Sequence, residues 1–184
     1  IIRIDRGGGD PLAQSFMVNE EDGIFVTSVD AFFATKSSTI PVRAEIRRMD
    51  NGYPSQVLVP FAQKYLNPGS VNTSTDGSSA TTFTFDSPVY IQEGFEYCVV
   101  VMTNSLDYKV WITQMGEQDV SGSNRLISAQ PHLGSLFKSQ NNLTWNAIQS
   151  QDLKFTLYKA QFPTPTTRQL QTGEYVFDGP QGTI

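Results

Sequence analysis

With one cysteine and one histidine, the sequence lacks most of the usual reactive chemistry. Cys98 cannot form an internal disulfide. It lies in the apolar run Tyr97-Cys98-Val99-Val100-Val101-Met102, where a free thiol behaves as a small core hydrophobe. A histidine-based triad would have to use His132, and a zinc site needs several His or Cys ligands. His132 follows Pro131 in a loop-like stretch and reads as a solvated loop residue. No Gly-x-Ser-x-Gly elbow, His-Glu-x-x-His pair or phosphate loop occurs. The 18 acidic residues singled out no carboxylate pair by spacing. No catalytic residue, metal or cofactor is expected, and the chain is not read as an enzyme.

Positive charge is also scarce. A net charge of −5 argues against nucleic acid as a partner, because that surface must be basic enough to displace counterions. Charged residues make up only 17%, which leaves Ser, Thr, Asn and Gln to cover the surface, a composition suited to wet interfaces and packed assemblies. No apolar run reaches the length of a membrane span and no signal-peptide pattern is present, so no membrane partner is expected. The sequence starts at Ile1 rather than Met, which reads as a piece of a longer polypeptide.

What is present is period-2 alternation. In residues 42–48, Val42, Ala44 and Ile46 alternate with Arg43, Glu45 and Arg47, the pattern of a strand with one dry and one wet face. Arg43, Arg47 and Arg48 therefore read as a solvated face. Leu153, Phe155 and Leu157 alternate with Lys154 and Thr156 in the same way. The 12 Phe and 7 Tyr suit pleated, half-buried surfaces. Strands are predicted near residues 13–18, 24–35, 41–48, 57–66, 81–86, 90–91, 95–103, 108–115, 134–138 and 152–161. Residues 24–34 are apolar on both faces and predict a mid-sheet strand covered on both sides for part of its length. Turn chemistry separates these runs: Asn51-Gly52 supplies positive-φ positions, with Pro54 expected to stop pairing, and Glu93-Gly94 and Asn141-Asn142 mark further turns. No helical periodicity survives over ten residues. The reading is an all-β, antiparallel β-sandwich, jelly-roll-like, over residues 12–162, with its core at Val42, Ala44, Ile46, Val99, Val101, Leu153, Phe155 and Leu157.

The flanks differ. Residues 1–11 hold Gly7-Gly8-Gly9 and read as a flexible linker. Residues 163–184 begin with Pro163-Thr164-Pro165, a stiff extended exit, and carry Glu174-Tyr175-Val176-Phe177-Asp178. Tyr175, Val176 and Phe177 are too few to build a core. They predict an extended C-terminal arm that binds a partner, or the start of a further domain. Three other surface chemistries are open. Trp111 and Trp145, if exposed, would stack on sugar rings; packed, they belong to the core, as Trp usually does. Asp76 and Asp86 offer a weak calcium option, and Asn72 and Asn142 begin glycosylation triplets that read as turn chemistry.

Longer motifs carry a resemblance. Asp10-Pro11-Leu12-Ala13-Gln14-Ser15-Phe16, the run Gly23-Ile24-Phe25-Val26-Thr27-Ser28-Val29-Asp30-Ala31-Phe32-Phe33, Pro41-Val42-Arg43-Ala44-Glu45-Ile46-Arg47 with Asn51-Gly52-Tyr53-Pro54, and Gly134-Ser135-Leu136-Phe137-Lys138-Ser139 ahead of Trp145 resemble virion structural proteins of tailed bacteriophages. The nearest group is the tail and baseplate proteins of T4-like phages, including cyanophages. The resemblance spans about residues 10–162 and implies a β-sandwich module within a multimeric tail protein, located in the virion. Its motifs are strand and turn motifs, so no functional residue carries over. Tail or baseplate subunits, as homo- or hetero-oligomer, are the implied partners. A carbohydrate-binding sandwich engaging host surface glycans is the alternative.

Overall fold

The alternation at residues 42–48 does build a strand, and Val42, Ala44 and Ile46 form its buried inner face. A computed structural model describes residues 10–118, 120, 125–128 and 134–162 of the chain. In chain order its strands are β1 (Leu12–Met17), β2 (Ile24–Thr35), β3 (Val42–Asp50), β4 (Tyr53–Leu66), β5 (Ala80–Ile91), β6 (Glu96–Thr103), β7 (Lys109–Val110), β8 (Ile112–Gln114), β9 (Leu136–Ser139), β10 (Trp145–Ile148), β11 (Gln151–Leu153) and β12 (Phe155–Lys159). Six of them form one antiparallel sheet in the order β10-β9-β1-β6-β3-β4. A second antiparallel sheet runs β12-β2-β5, with β7 added to β2, and β8 pairs with β11 beside it.

The two sheets face each other and bury one main core. Phe16, Ile46, Val59, Val99 and Val101 come from the six-stranded sheet; Val29, Phe33, Phe83, Phe85 and Ile91 come from the other. The architecture is an all-β antiparallel sandwich. Of the eight predicted core residues, Val42, Ala44, Ile46, Val99, Val101 and Leu153 are buried. Phe155 and Leu157 are only partly so and pack against the rim of the core, because β12 is an edge strand. Gln14, fully buried, fastens the first strand to the last part of the fold: its amide donates to Asp152 Oδ1 at 3.1 Å and accepts from the Leu153 backbone N–H at 2.8 Å.

Several predicted strands are corrected. Residues 108–115 and 152–161 each break in two, at Trp111 and Lys154, and the two breaks face each other: the Lys154 N–H donates to the Trp111 carbonyl. The chain changes sheet there, which alternation does not record. The predicted pieces 81–86 and 90–91 are one strand, β5, whose pairing with β2 shifts register between Val26 and Ser28. That irregularity puts Val26, Val29, Ala31 and Phe33 on the same inner face and turns Phe25 outward. β2 is buried on both faces over residues 29–33 and open at Phe25, so it is covered on both sides for part of its length, as expected. Pro54 does not end pairing; it lies opposite Met49 in the β3–β4 hairpin. β10 lies in a stretch where no strand was expected.

The largest correction concerns the supposedly wet face of β3. Glu45 and Arg47 are both 4% exposed. Arg47 Nε donates to Glu45 Oε2 at 2.7 Å, and Nη1 donates to Asn142 Oδ1 at 2.9 Å. Gln63 Nε2 donates to Glu45 Oε1 at 2.7 Å, and Arg43 pairs with the same oxygen at 2.8 Å. The loop between β9 and β10 brings Asn142 here. Its turn is held by Asn141 Oδ1, which accepts from the Leu143 and Thr144 N–H groups at 2.9 and 2.8 Å. Beside the ion pair, Ala13, Cys98, Val100, Phe137 and Trp145 form a second apolar cluster on the outside of the same sheet. Replacing one partner of a buried pair strands the other charge out of water. Glu45→Ala is therefore expected to lower unfolding free energy by about 3–5 kcal/mol in denaturant titration; a loss below about 1 kcal/mol, the value of an exposed pair, would contradict the buried arrangement.

Candidate interaction surfaces

Both tryptophans are packed, which removes them as sugar-stacking platforms. Trp111 is 2% exposed, its indole N–H donates to the Ser74 carbonyl at 3.1 Å, and the loop at Gly77 covers its ring. A Cβ at Gly77, which has φ +72°, would lie 3.1 Å from Trp111 Cγ, so glycine is needed for both backbone and contact. Trp145 is 7% exposed in the outer cluster with Phe137 and Cys98. Tyr175, Val176 and Phe177 lie outside the described residues, as does His132. The calcium option loses its donors to local structure. Asp76 caps its own turn, accepting from the Ser78 N–H at 3.0 Å, and the Ser78 hydroxyl and backbone hold its carboxyl below the usual range. Asp86 pairs with Lys64. Among the described residues, no group of three or more His, Cys, Asp and Glu side chains is placed to hold a metal ion.

Large apolar side chains do reach solvent on both outer faces of the sandwich. On the β12-β2-β5 sheet, Phe25 and Tyr90 are cross-strand partners with ring centroids 5.2 Å apart, and Phe162 meets Phe25 edge-on at 5.5 Å. All three are exposed. Farther along the same face, buried Asp30 accepts from Thr82 Oγ1 at 2.6 Å and from the Tyr158 hydroxyl at 3.0 Å. That hydrogen bond, and then the Asp30 charge, raise the Tyr158 pKa. The aromatic signal was present in the sequence, but the register shift in β2 decides which face it occupies.

The second surface lies on β4, the edge strand of the six-stranded sheet. Its pairing with β3 runs from Glu45↔Gln63 to Arg47↔Leu58, so β4 spends three more residues than β3 over that interval. The bulge buries Val59 and Ala62 and throws Phe61 outward at 68% exposure, with a left-handed φ of +65°. A non-glycine residue in that conformation costs about 1–2 kcal/mol, and here no burial of the ring offsets it. Val57, Leu58 and Tyr65 on the same strand are also exposed. Arg43 lies over the Tyr65 ring, 5.2 Å from its centroid, and donates to its hydroxyl. Pro60, in the middle of an alternating run, is the sequence signal for this bulge.

No protein-family model, curated protein or solved structure matches the chain.

Two measurements check the chemistry of these faces. Burial pushes the Cys98 thiol up to about 12, against the partial opposing pull of Arg47. The native protein should resist iodoacetamide near neutral pH and label only in denaturant; rapid native labelling would place the thiol at the surface. Tyr158 has its folded pKa raised, so its hydrogen bond to Asp30 contributes fully below the unfolded value of about 10 and is lost as pH rises through the folded value. The stability advantage of wild type over Tyr158→Phe, measured by denaturant titration, is expected at neutral pH and should fade in alkali. An advantage independent of pH would exclude the bond.

Proposed function

We propose that the domain is a structural and interaction module of a bacteriophage tail or baseplate, joining neighbouring subunits in the virion. The observation that carries this reading is the exposure of large aromatic residues on two surfaces: Phe25, Tyr90 and Phe162 on the outer face of one sheet, Phe61 and Tyr65 on the edge strand β4 of the other. Single exposed apolar residues are ordinary, but clustered rings mark surfaces that another molecule covers. Two such faces suit a subunit with a neighbour on each side. The resemblance of its strand and turn motifs to those of phage tail proteins supplies the proposed setting.

The carbohydrate-binding alternative is the weaker reading. Its two candidate residues, Trp111 and Trp145, are packed inside. The exposed rings that could replace them are inclined to one another, at 45° for Phe25 with Tyr90 and 84° for Phe25 with Phe162, so they share no plane on which sugar rings could lie in a row.

Mass spectrometry of purified tails from the phage that encodes the chain tests the assembly reading. The chain is expected as a stoichiometric tail component that survives washing at high salt. Its absence from purified particles, or selective binding of soluble chain to host glycans, would overturn the reading.

A further inference from the structure

We infer that Asn51 is a site of spontaneous covalent modification, in which its side-chain amide is lost to attack by the neighbouring Gly52 and the tip of the β3–β4 hairpin is remade. The inference stands apart from the assembly reading and needs no partner. The chain holds a single Asn-Gly pair, and the fold sets it at the hairpin tip. Asp50 and Tyr53 are the last register partners, so Asn51 and Gly52 form a two-residue loop. Both are exposed, at φ +49° and +79°, the two left-handed positions of a type I′ turn. Nothing lies within 4 Å of the place that a Gly52 Cβ would occupy. Among the described residues, neither the Asn51 side chain nor the Gly52 N–H is held by a hydrogen bond.

The reaction needs only these two residues and water. The Gly52 nitrogen attacks Asn51 Cγ; a new N–C bond forms, the Cγ–Nδ2 bond breaks, and ammonia leaves with the Gly52 amide proton. Water then opens the resulting cyclic imide at either carbonyl, and no oxidant or reductant is used. One opening gives aspartate in the normal linkage. The other gives isoaspartate, with the backbone routed through the side-chain carboxyl. Closing the imide requires Asn51 to leave the left-handed region, so the step follows local opening of the tip, where hairpins open most readily. Glycine assists because it has no side chain to block the approach. The other described asparagines lack this combination. Asn67 precedes Pro68, which has no N–H. Asn72, Asn141 and Asn142 have their side chains in hydrogen bonds, and Asn19, Asn104 and Asn146 precede residues with side chains.

The consequence extends beyond the tip. Aspartate tolerates a left-handed turn, but isoaspartate lengthens a loop whose size sets the register of β3 with β4. Tyr53 opens β4, and its ring meets Phe137 of the outer cluster with centroids 6.0 Å apart. The lengthened loop displaces that contact.

The test is incubation of the full chain in mildly alkaline buffer, followed by trypsin and mass spectrometry. The peptide Met49–Lys64 carries Asn51 as its only asparagine. It is expected to gain one dalton before any other asparagine peptide does, and to separate into aspartyl and isoaspartyl forms on chromatography. Asn51→Gln should lose the early gain. An earlier gain in another peptide, an unchanged gain in Asn51→Gln, or no gain in Met49–Lys64 over several weeks would overturn the assignment. Hydrogen exchange reads the structural consequence. Amides of residues 53–56 are expected to exchange faster in the isoaspartyl form than in Asn51→Asp, which keeps the normal linkage; equal exchange would overturn the claim that the hairpin is remade.

Discussion

The buried Glu45–Arg47 pair ties strand β3 to β4 and to the distant β9–β10 loop. It lies on the outside of the six-stranded sheet, where a two-layer sandwich would ordinarily be wet. Glu45 gathers Arg43, Arg47 and Gln63 from two strands, and Arg47 reaches Asn142 in the β9–β10 loop. Beside the loop lies the cluster around Phe137 and Trp145, against which Met49 and Met102 pack, and Tyr53 from the β3–β4 hairpin meets Phe137 with its ring centroid at 6.0 Å. Charges so placed must be fully partnered, because each has lost its water. The partners come from residues up to 95 positions apart in the chain, and their geometry fixes where the hairpin and the loop sit.

That same pair marks the limit of what alternation reveals. The inner faces of β3 and β6 were legible because one side of each strand is apolar over most of its length. The partitioning of polar residues was not: Glu45 and Arg47 look solvated when only the strand is considered, yet both are buried, Glu45 among Arg43, Arg47 and Gln63, and Arg47 against Asn142 of a distant loop. Gln14 is a similar case, a polar residue on an inward position whose amide is satisfied only by Asp152 and Leu153. β2 was legible in extent, from Ile24 to Thr35, yet its register shift moved Phe25 to the surface. Periodicity reports faces; bulges and sheet changes at Trp111 and Lys154 reassign them.

The interaction surfaces follow from these irregularities. Two of the exposed rings occur where strand regularity fails: Phe61 at the β4 bulge, and Phe25 beside the break in the β2–β5 register. Bulges also make poor templates for uncontrolled edge pairing. The fold therefore offers side-chain anchors while limiting promiscuous strand addition, a combination that the proposed assembly reading requires.

Burial of both aromatic faces on assembly is the centre of this account. On the proposed assembly reading, hydroxyl-radical footprinting of the free chain and of purified tails measures it directly, with Phe25 and Tyr90 reporting on one surface and Phe61 and Tyr65 on the other. Strong protection of both pairs in the tail, with Trp111 and Trp145 unreactive in both samples, is the predicted result. Equal reactivity of the four rings before and after assembly would contradict it.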